Sequence, residues 1–331
     1  MQLRGKSLYN LLRVKHNNNP KFRVALWQIE DLRELKLTTL FARLDKLGVF
    51  FDEVSFVEQA RQFDNPEELT NHVWPKKEED QAKCYLLLFE LWRRLLPENL
   101  PISLFCDQLD CLIEAYDRGS LVEVDQLQEA LESLEDILDN AADKEGAPEK
   151  IFLYACSYSA YDLEGFILDY IADQIIEENY VGASELLDGF SPYVTHKKRF
   201  EALRICLFLS TRTPSASLMF DRFLEYLQEE PDFESLLILM DYLVYRGNRE
   251  FFFKVVKQAL LFMRIEEQFQ DVLEMMAEYY HYMDLEEEER RISQMSNTRR
   301  DYPVGGLLNK KDPIYLDIVK EVLENTQGFE I

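Results

Sequence analysis

Histidines near carboxylates are the first residues in this chain whose spacing could support chemistry. The chain has four histidines, and His281 follows Glu278 by three positions, which places both residues on one face of a helix. Helical di-iron proteins use this spacing, but they need two such pairs and two further carboxylates on facing helices. The sequence contains no second pair. It therefore predicts no metal site, and it offers no other cofactor motif.

Motifs for nucleophilic catalysis and for phosphate binding are also missing. Cys206 follows His196, but the apolar segment around Cys206 predicts a buried thiol rather than a nucleophile. The 11 glycines form none of the patterns that cradle phosphates or expose a catalytic serine. The sequence thus predicts a protein that is not an enzyme. The alternative is an enzyme with a polar pocket between helices, and Asp173 and Gln174, which interrupt an apolar pattern, would mark it.

Aromatic and acidic residues are the more informative group, since the chain contains 22 Phe, 17 Tyr and 3 Trp. Exposed tyrosines beside carboxylates form surfaces that bind peptides or helices, because tyrosine offers a large contact area at a small entropic cost. The first helices of two neighbouring predicted hairpins carry such residues, and these are the predicted partner-binding residues: Asp241, Tyr242, Tyr245, Glu274, Glu278 and Tyr282. In the competing interpretation, these tyrosines are partly buried in an ordinary helical core.

The net charge of −25 restricts the class of partner. Such a surface repels phosphates and anionic membranes, so we expect a basic, partly apolar protein or peptide and neither nucleic acid nor membrane. Residues 1–48 hold ten Lys or Arg and four Asp or Glu, whereas residues 107–143 hold twelve acids and one base. The basic start either pairs with the acidic body, forms a detachable arm, or carries a targeting or export signal. A further alternative is a nucleic-acid mimic that displays the acids of 107–143 along one face.

The cysteines indicate the compartment. They are odd in number, and each lies in an apolar, helix-like segment, which predicts buried free thiols: Cys84, Cys106, Cys111, Cys156 and Cys206. Free thiols are typical of a reducing compartment, so a cytoplasmic protein is expected. No apolar run approaches the roughly 18 residues that a membrane span needs, and the start lacks the apolar region of a secretory signal. The oligomeric state is not indicated.

Low glycine and proline content, 11 residues each, and apolar residues at helical spacing predict an all-α fold. Helices are expected over 22–48, 52–63, 78–96, 102–117, 122–142, 266–283 and 314–325. The chain divides into a basic N-terminal arm (1–20), an irregular N-terminal helical domain (21–145), a helical-hairpin repeat domain (146–295), and a loop with a C-terminal helix (296–331). The boundary at 145 rests on the polar segment "DKEGAPE" at 143–149.

A period of 33 residues organises the third of these regions. Four sets of apolar residues recur at this step: Leu186, Met219 and Phe252; Leu187, Phe220 and Phe253; Phe190, Phe223 and Val256; Val194, Leu227 and Leu260. The helices that precede these sets also repeat apolar residues every 33 positions, for example at Tyr170, Leu203, Leu236 and Phe269. The pattern predicts an α-solenoid of stacked helical hairpins, with Gly247-Asn248 as one turn and with Phe220, Phe223, Phe252 and Phe253 buried.

Paired helices at this step resemble the tetratricopeptide-like repeat superfamily, whose period is about 34 residues. The resemblance covers 164–295. The Trp-Leu-Gly-Tyr pattern of standard repeats is absent, and so is the Thr-Pro-Leu-His signature of ankyrin repeats. The resemblance implies a non-enzymatic scaffold, regulator or chaperone that binds a protein segment on the inner surface formed by the first helices of the hairpins.

Overall fold

The computed structural model describes residues 3–73, 78–121, 125–246, 248–303 and 305–326. Within these ranges the chain is all-helical, as predicted, with 18 α-helices and no strand beyond an isolated bridge between Ile265 and Leu307. None of the helices in these ranges combines the length and the apolar character that crossing a membrane requires. The chain forms two compact units, Met1–Phe166 and Ile167–Ile331. The segment 143–149 covers the end of one helix and the start of the next within the first unit.

The first unit is built around one buried helix. Its helices are α1 (Ser7–Asn18), α2 (Leu26–Ile29), α3 (Leu37–Lys46), α4 (Glu53–Ala60), α5 (Pro66–Val73), α6 (Glu78–Leu95), α7 (Ile102–Asp117), α8 (Asp125–Glu145) and α9 (Pro148–Cys156). Helix α6 packs against α3, α4 and α5. Residues 84–92 are all buried, and Phe89 and Trp92 have no exposed surface. Apart from Glu90 this run is apolar, which suits a helix segment that other helices cover on several sides.

The predicted single helix over 22–48 is wrong. Helix α2 ends at Ile29, a short 3-10 helix covers Leu32–Glu34, and α3 begins at Leu37. The reason is a long-range contact, since the Arg94 guanidinium donates hydrogen bonds to the carbonyls of Leu32, Arg33 and Leu35 at 2.6 to 2.9 Å. Those carbonyls would otherwise accept bonds inside a continuous helix. The predicted helix end at Gly48 is confirmed, because this glycine has a φ of 81° just beyond α3.

The basic start of the chain pairs with acids of the first unit. Lys6 lies 3.1 Å from Asp107, and Arg13 lies 3.3 Å from Glu114. Between these pairs, Asn10 is buried, and its amide donates to both Asp107 and Asp110 at 2.9 Å. Helix α1 is therefore fixed to α7. Burial of two acids also means that the acids of 107–143 do not all lie on one exposed face, as a nucleic-acid mimic would need.

The second unit contains the 33-residue pattern. Its helices are α10 (Leu163–Ile176, which contains the division point), α11 (Tyr180–Phe190), α12 (Lys197–Ser210), α13 (Ala216–Glu229), α14 (Phe233–Val244), α15 (Arg249–Phe262), α16 (Glu266–Tyr282), α17 (Glu286–Arg299) and α18 (Pro313–Thr326). Side-chain caps start several of them; Asn248, for example, accepts a hydrogen bond from the amide of Phe251. Gly247, the other residue of the predicted turn, lies outside the described residues.

Burial follows the apolar sets closely. The prediction that Phe220, Phe223, Phe252 and Phe253 are buried is confirmed. Of the twelve residues in the four sets, only Met219 is half-buried rather than buried. Helix α12 packs against α13 and α14, α14 packs against α15 and α16, and α13 also packs against α15.

The C-terminal helix closes this unit in an arrangement that the sequence did not indicate. Helix α18 packs on α15, whereas α17 packs on α16. The Tyr315 hydroxyl donates to the carbonyl of Leu260 at 2.9 Å, and Tyr280 and Arg291 both donate to Glu321. Arg299, which is 1% exposed, forms ion pairs with Glu266 and with Asp312 just before α18.

Candidate functional site

An apolar groove crosses four helices of the second unit, and we call it the acid-rimmed groove. Its lining residues come from α10, α12, α14 and α16: Leu168, Asp169, Ala172, Ile175, Ile176, Leu203, Cys206, Leu237, Ile238, Asp241, Tyr242 and Met275. It encloses about 230 Å³. These four helices are the first members of successive predicted hairpins.

Helix α14 explains why the groove is apolar. One face of the helix carries Leu236, Leu239 and Met240, which are fully buried. The neighbouring positions Leu237 and Ile238 are half-buried and line the groove. The helix therefore has two apolar faces, one in the core and one toward the groove. Asp241 and Tyr242 of this helix are among the predicted partner-binding residues, whereas the apolar groove residues Leu237 and Ile238 are not.

Two carboxylates line the groove, and no lining residue is basic. Asp169 and Asp241 are both exposed. Asp241 is nevertheless partly shielded from water by its neighbours, and this partial burial and the negative charge of Asp173 raise its pKa from the ordinary value. Asp173 lies one turn after Asp169 on α10, so three acids gather beside the apolar floor. A cation placed here would lower their mutual repulsion.

An aromatic pair continues this surface along α14 and α16. The rings of Tyr245 and Tyr282 meet edge to face with centroids 5.5 Å apart, and they are 48% and 56% exposed. The pKa of Tyr245 is raised by partial burial and by the charges of Glu278 and Asp241. Of the predicted partner-binding residues, Asp241 therefore lines the groove, and Tyr245, Glu278 and Tyr282 lie near it without lining it.

The other two predicted residues have different surroundings. Tyr242 is only 8% exposed, so the expectation of an exposed tyrosine is wrong here. Its hydroxyl is hydrogen-bonded to that of Ser210 at 2.8 Å, and its ring forms a wall of the groove. Glu274 is exposed and belongs to a second acidic group on α16. In that group, burial is the main cause that raises the pKa of Asp271, and the charges of Glu267 and Glu274 raise it further.

The groove contains one potential nucleophile, Cys206. Burial and the charge of Asp241 raise the pKa of this thiol well above its ordinary value, so it stays protonated and unreactive. Gln174, which marked the alternative enzyme pocket, is buried but does not line the groove. Its amide donors find no hydrogen-bond partner within the described ranges, while its carbonyl accepts from Asn179.

Glu278 and His281, whose spacing would suit metal ligands, belong to no metal-binding group among the described residues. His281 is exposed, and its Nδ1 lies 3.2 Å from Glu289. Across the part of the chain that the structure describes, no group of three or more His, Cys, Asp or Glu side chains is arranged to hold a metal ion. All five cysteines are free, and four are buried; Cys111 is half-buried and accepts a hydrogen bond from Arg33 at 2.9 Å.

Comparisons of the chain with protein-family models, with curated proteins and with solved structures give no match in any of the three. The tetratricopeptide-like resemblance therefore stays a prediction that rests on the repeated residues alone. What the chain can bind has to be argued from the groove itself.

Proposed function

We propose that the second unit is a non-enzymatic binding module that holds a basic, partly apolar segment of another protein in the acid-rimmed groove. The observation that carries this proposal is the combination of an apolar floor with acids and no base along it. Apolar side chains of the segment would fill the floor between Leu237, Ile238 and Met275, and a Lys or Arg would face Asp169 and Asp241. Charge complementarity of this kind selects a partner and speeds the encounter.

The size of the groove favours a protein segment over a small molecule. Pockets for cofactors and drug-sized ligands enclose about 300–1,000 Å³, whereas this groove encloses about 230 Å³. It can take a few apolar side chains from a longer segment. The exposed Tyr245 and Tyr282 extend the contact beyond the groove, as aromatic residues do at many protein interfaces.

We also propose that the four first helices belong to an α-solenoid of hairpins with a step of 33 residues. Two observations support this arrangement. Helices α12, α14 and α16 pack in succession, and α13 packs on α15. The equivalent residues Tyr170, Leu203, Leu236 and Phe269 are all buried. Such an array presents a continuous inner surface, which a scaffold, a regulator or a chaperone of the cytoplasm could use.

Binding of a synthetic amphipathic peptide of leucine and lysine tests the function. Calorimetry or fluorescence anisotropy should show saturable binding to the wild-type protein. A peptide of the same length in which alanine replaces leucine should bind much more weakly, because it keeps the charge and loses the apolar anchors. Equal binding of the two peptides would mean that only general charge attraction is at work, and it would overturn the proposal.

Charge-reversal variants locate the binding site. Asp241→Lys places a cation in the groove, and it should weaken binding of the leucine-lysine peptide by about tenfold or more. Glu229→Lys is the matched control, because Glu229 is an exposed acid of α13 that does not line the groove. It changes the net charge by the same amount. Equal effects of the two variants would contradict binding in the acid-rimmed groove.

A further inference from the structure

A second groove, in the first unit, has the opposite charge, and we call it the basic groove. Its floor is apolar and consists of Trp27, Leu32, Leu47, Leu86 and Leu87. It encloses about 210 Å³, which is again below the usual size of a small-molecule pocket of about 300–1,000 Å³. Helices α2 and α6, the short 3-10 helix and the residue that follows α3 provide these side chains.

Three of the four charged residues that line this groove are cations: Arg43, Lys46 and Lys83. The single acid, Glu30, is already engaged, because Arg43 donates two hydrogen bonds to its carboxylate at 2.7 and 2.9 Å. Lys46 is exposed and makes no ion pair with any described residue. In a protein of net charge −25, a basic rim around an apolar floor is a local exception.

The ammonium group of Lys83 can exchange its present partner, the Glu79 carboxylate, for another carboxylate. It lies 2.7 Å from Glu79 on the same helix and 5.3 Å from the centre of the Trp27 ring. The Glu79 side chain is 65% exposed, and ion pairs of this kind on a helix surface contribute little to stability. An incoming carboxylate can therefore replace Glu79 with little loss, while the Trp27 ring keeps the ammonium group close to the apolar floor.

The wall of the groove is rigid. Leu32 is held by Arg94, whose guanidinium donates to the carbonyls of Leu32 and Leu35 at 2.9 and 2.6 Å. Arg94 is fixed in turn by Glu90, a buried acid of α6. A preformed wall lowers the entropy that binding costs.

We infer that the basic groove binds an acidic amphipathic segment of a partner protein, with apolar side chains on the Trp27 floor and carboxylates at Lys46 and Lys83. The segment is opposite in charge to the one proposed for the acid-rimmed groove. The two grooves therefore sort two kinds of partner segment by charge, and each can be tested without the other.

A leucine-glutamate amphipathic peptide is the probe. Its addition to the full chain should change the tryptophan fluorescence saturably, and Trp27→Phe should abolish that change. Lys46→Glu should weaken binding by about tenfold or more, and Lys83→Gln should weaken it less, because it only removes a charge. Lys144→Glu is the matched control, since Lys144 is exposed on α8 and does not line the groove. Lys46 is itself exposed, so its replacement leaves the core intact.

Three results would overturn the inference. The first is no saturable binding of the leucine-glutamate peptide, and the second is an equal loss of affinity in Lys46→Glu and Lys144→Glu. The third is dimerisation of the wild-type chain that Lys46→Glu abolishes in sedimentation, because a second copy would then occupy the groove. Binding that Asp241→Lys leaves unchanged supports the inference, and failure of the acid-rimmed groove to bind its own peptide would not affect this outcome.

Discussion

Asp107 and Asp110 lie one turn apart in the core of the first unit, yet their surroundings shift their pKa values in opposite directions. Burial would raise the pKa of Asp107, but the charges of Lys6 and Arg33 outweigh burial and lower it. Asp110 forms no ion pair with a cation within the described ranges, and burial raises its pKa to about 6 despite hydrogen bonds from Asn10, Ser159 and the amide of Ala160. The pair thus contains one stable carboxylate and one that titrates near pH 6.

Replacement of Asp110 with asparagine should reveal this titration. Because the pKa of Asp110 rises from 3.8 to about 6 on folding, it contributes stability that is present below about pH 4 and lost as the pH rises through 6. The shift corresponds to about 3 kcal/mol. The difference in unfolding free energy between wild type and Asp110→Asn should shrink by about this amount between pH 4 and 7, as measured by urea unfolding. A difference that does not vary with pH would contradict this expectation.

Asp107→Asn should show the opposite pH dependence. A lowered pKa stabilises the fold at higher pH, and this contribution is lost as the pH falls through the folded pKa. At neutral pH the variant leaves Lys6 and Arg33 without their buried partner and should lose about 3–5 kcal/mol. Hydrogen exchange should also accelerate in α1, which Lys6 and Asn10 hold to this acid. Unchanged exchange in α1 would mean that other contacts fix the helix.

Phe252 and Met219 occupy equivalent positions, 33 residues apart, but only Phe252 is fully buried. Phe252→Ala should destabilise the second unit by about 3–5 kcal/mol, because it leaves a cavity and removes the stacked contact with Tyr279, whose ring lies 4.0 Å away. Met219→Ala should cost about 1 kcal/mol, since less apolar surface is lost. Thermal unfolding of both variants provides the comparison, and similar losses would show that position in the repeat, not burial, sets the energy.

Thiol labelling should separate Cys111 from the other cysteines. Cys84, Cys106, Cys156 and Cys206 are buried, whereas Cys111 is half-buried beside the Arg33 guanidinium. A maleimide added to the native protein should modify Cys111 first and the other four only after denaturation. Mass spectrometry of digests taken at successive times measures the order. Early labelling of a buried cysteine would reveal local opening of its helix.

Kinetics should divide the predicted partner-binding residues into two classes. Glu274→Lys and Glu278→Lys should mainly slow association with the leucine-lysine peptide, and the effect should fade as salt rises. Tyr245→Ala and Tyr282→Ala should mainly speed dissociation, because they remove contact area. Stopped-flow measurements at low and physiological salt resolve the two rates. Slower association in the tyrosine variants and unchanged association in the glutamate variants would contradict this division.

Local signals in the sequence predicted most helices, but they did not predict where contacts with distant residues interrupt a helix. The helix predicted at 102–117 matches α7 as observed, because its limits are set by nearby residues such as Pro101. The helix predicted over 22–48 is broken by Arg94, a residue far along the chain that binds the carbonyls of Leu32 and Leu35. No pattern within 22–48 contains that information.

Only the acidic and aromatic residues of the candidate site could be predicted from the sequence, and its apolar lining residues could not. Asp241, Tyr245, Glu278 and Tyr282 were predicted because surplus tyrosines and acids on a helix suggest exposure, and all four are exposed. Leu237, Ile238 and Met275 were not found, because an apolar residue that lines a groove has the same sequence signature as one in the core. The packing of helices decides between these two, and packing is not a local property.

Helix α18 determines how the second unit ends. It covers α15, with Tyr315 bonded to the carbonyl of Leu260 and Asn325 bonded to Arg249. An uncovered end of a helical array can accept the next chain head to tail, and such contacts grow into filaments when nothing closes them. A chain cut before Pro313 would expose the surface of α15 that α18 covers and would leave the carbonyl of Leu260 without its bond from Tyr315. The covering helix thus keeps from solvent a surface of the kind that joins helical arrays to one another.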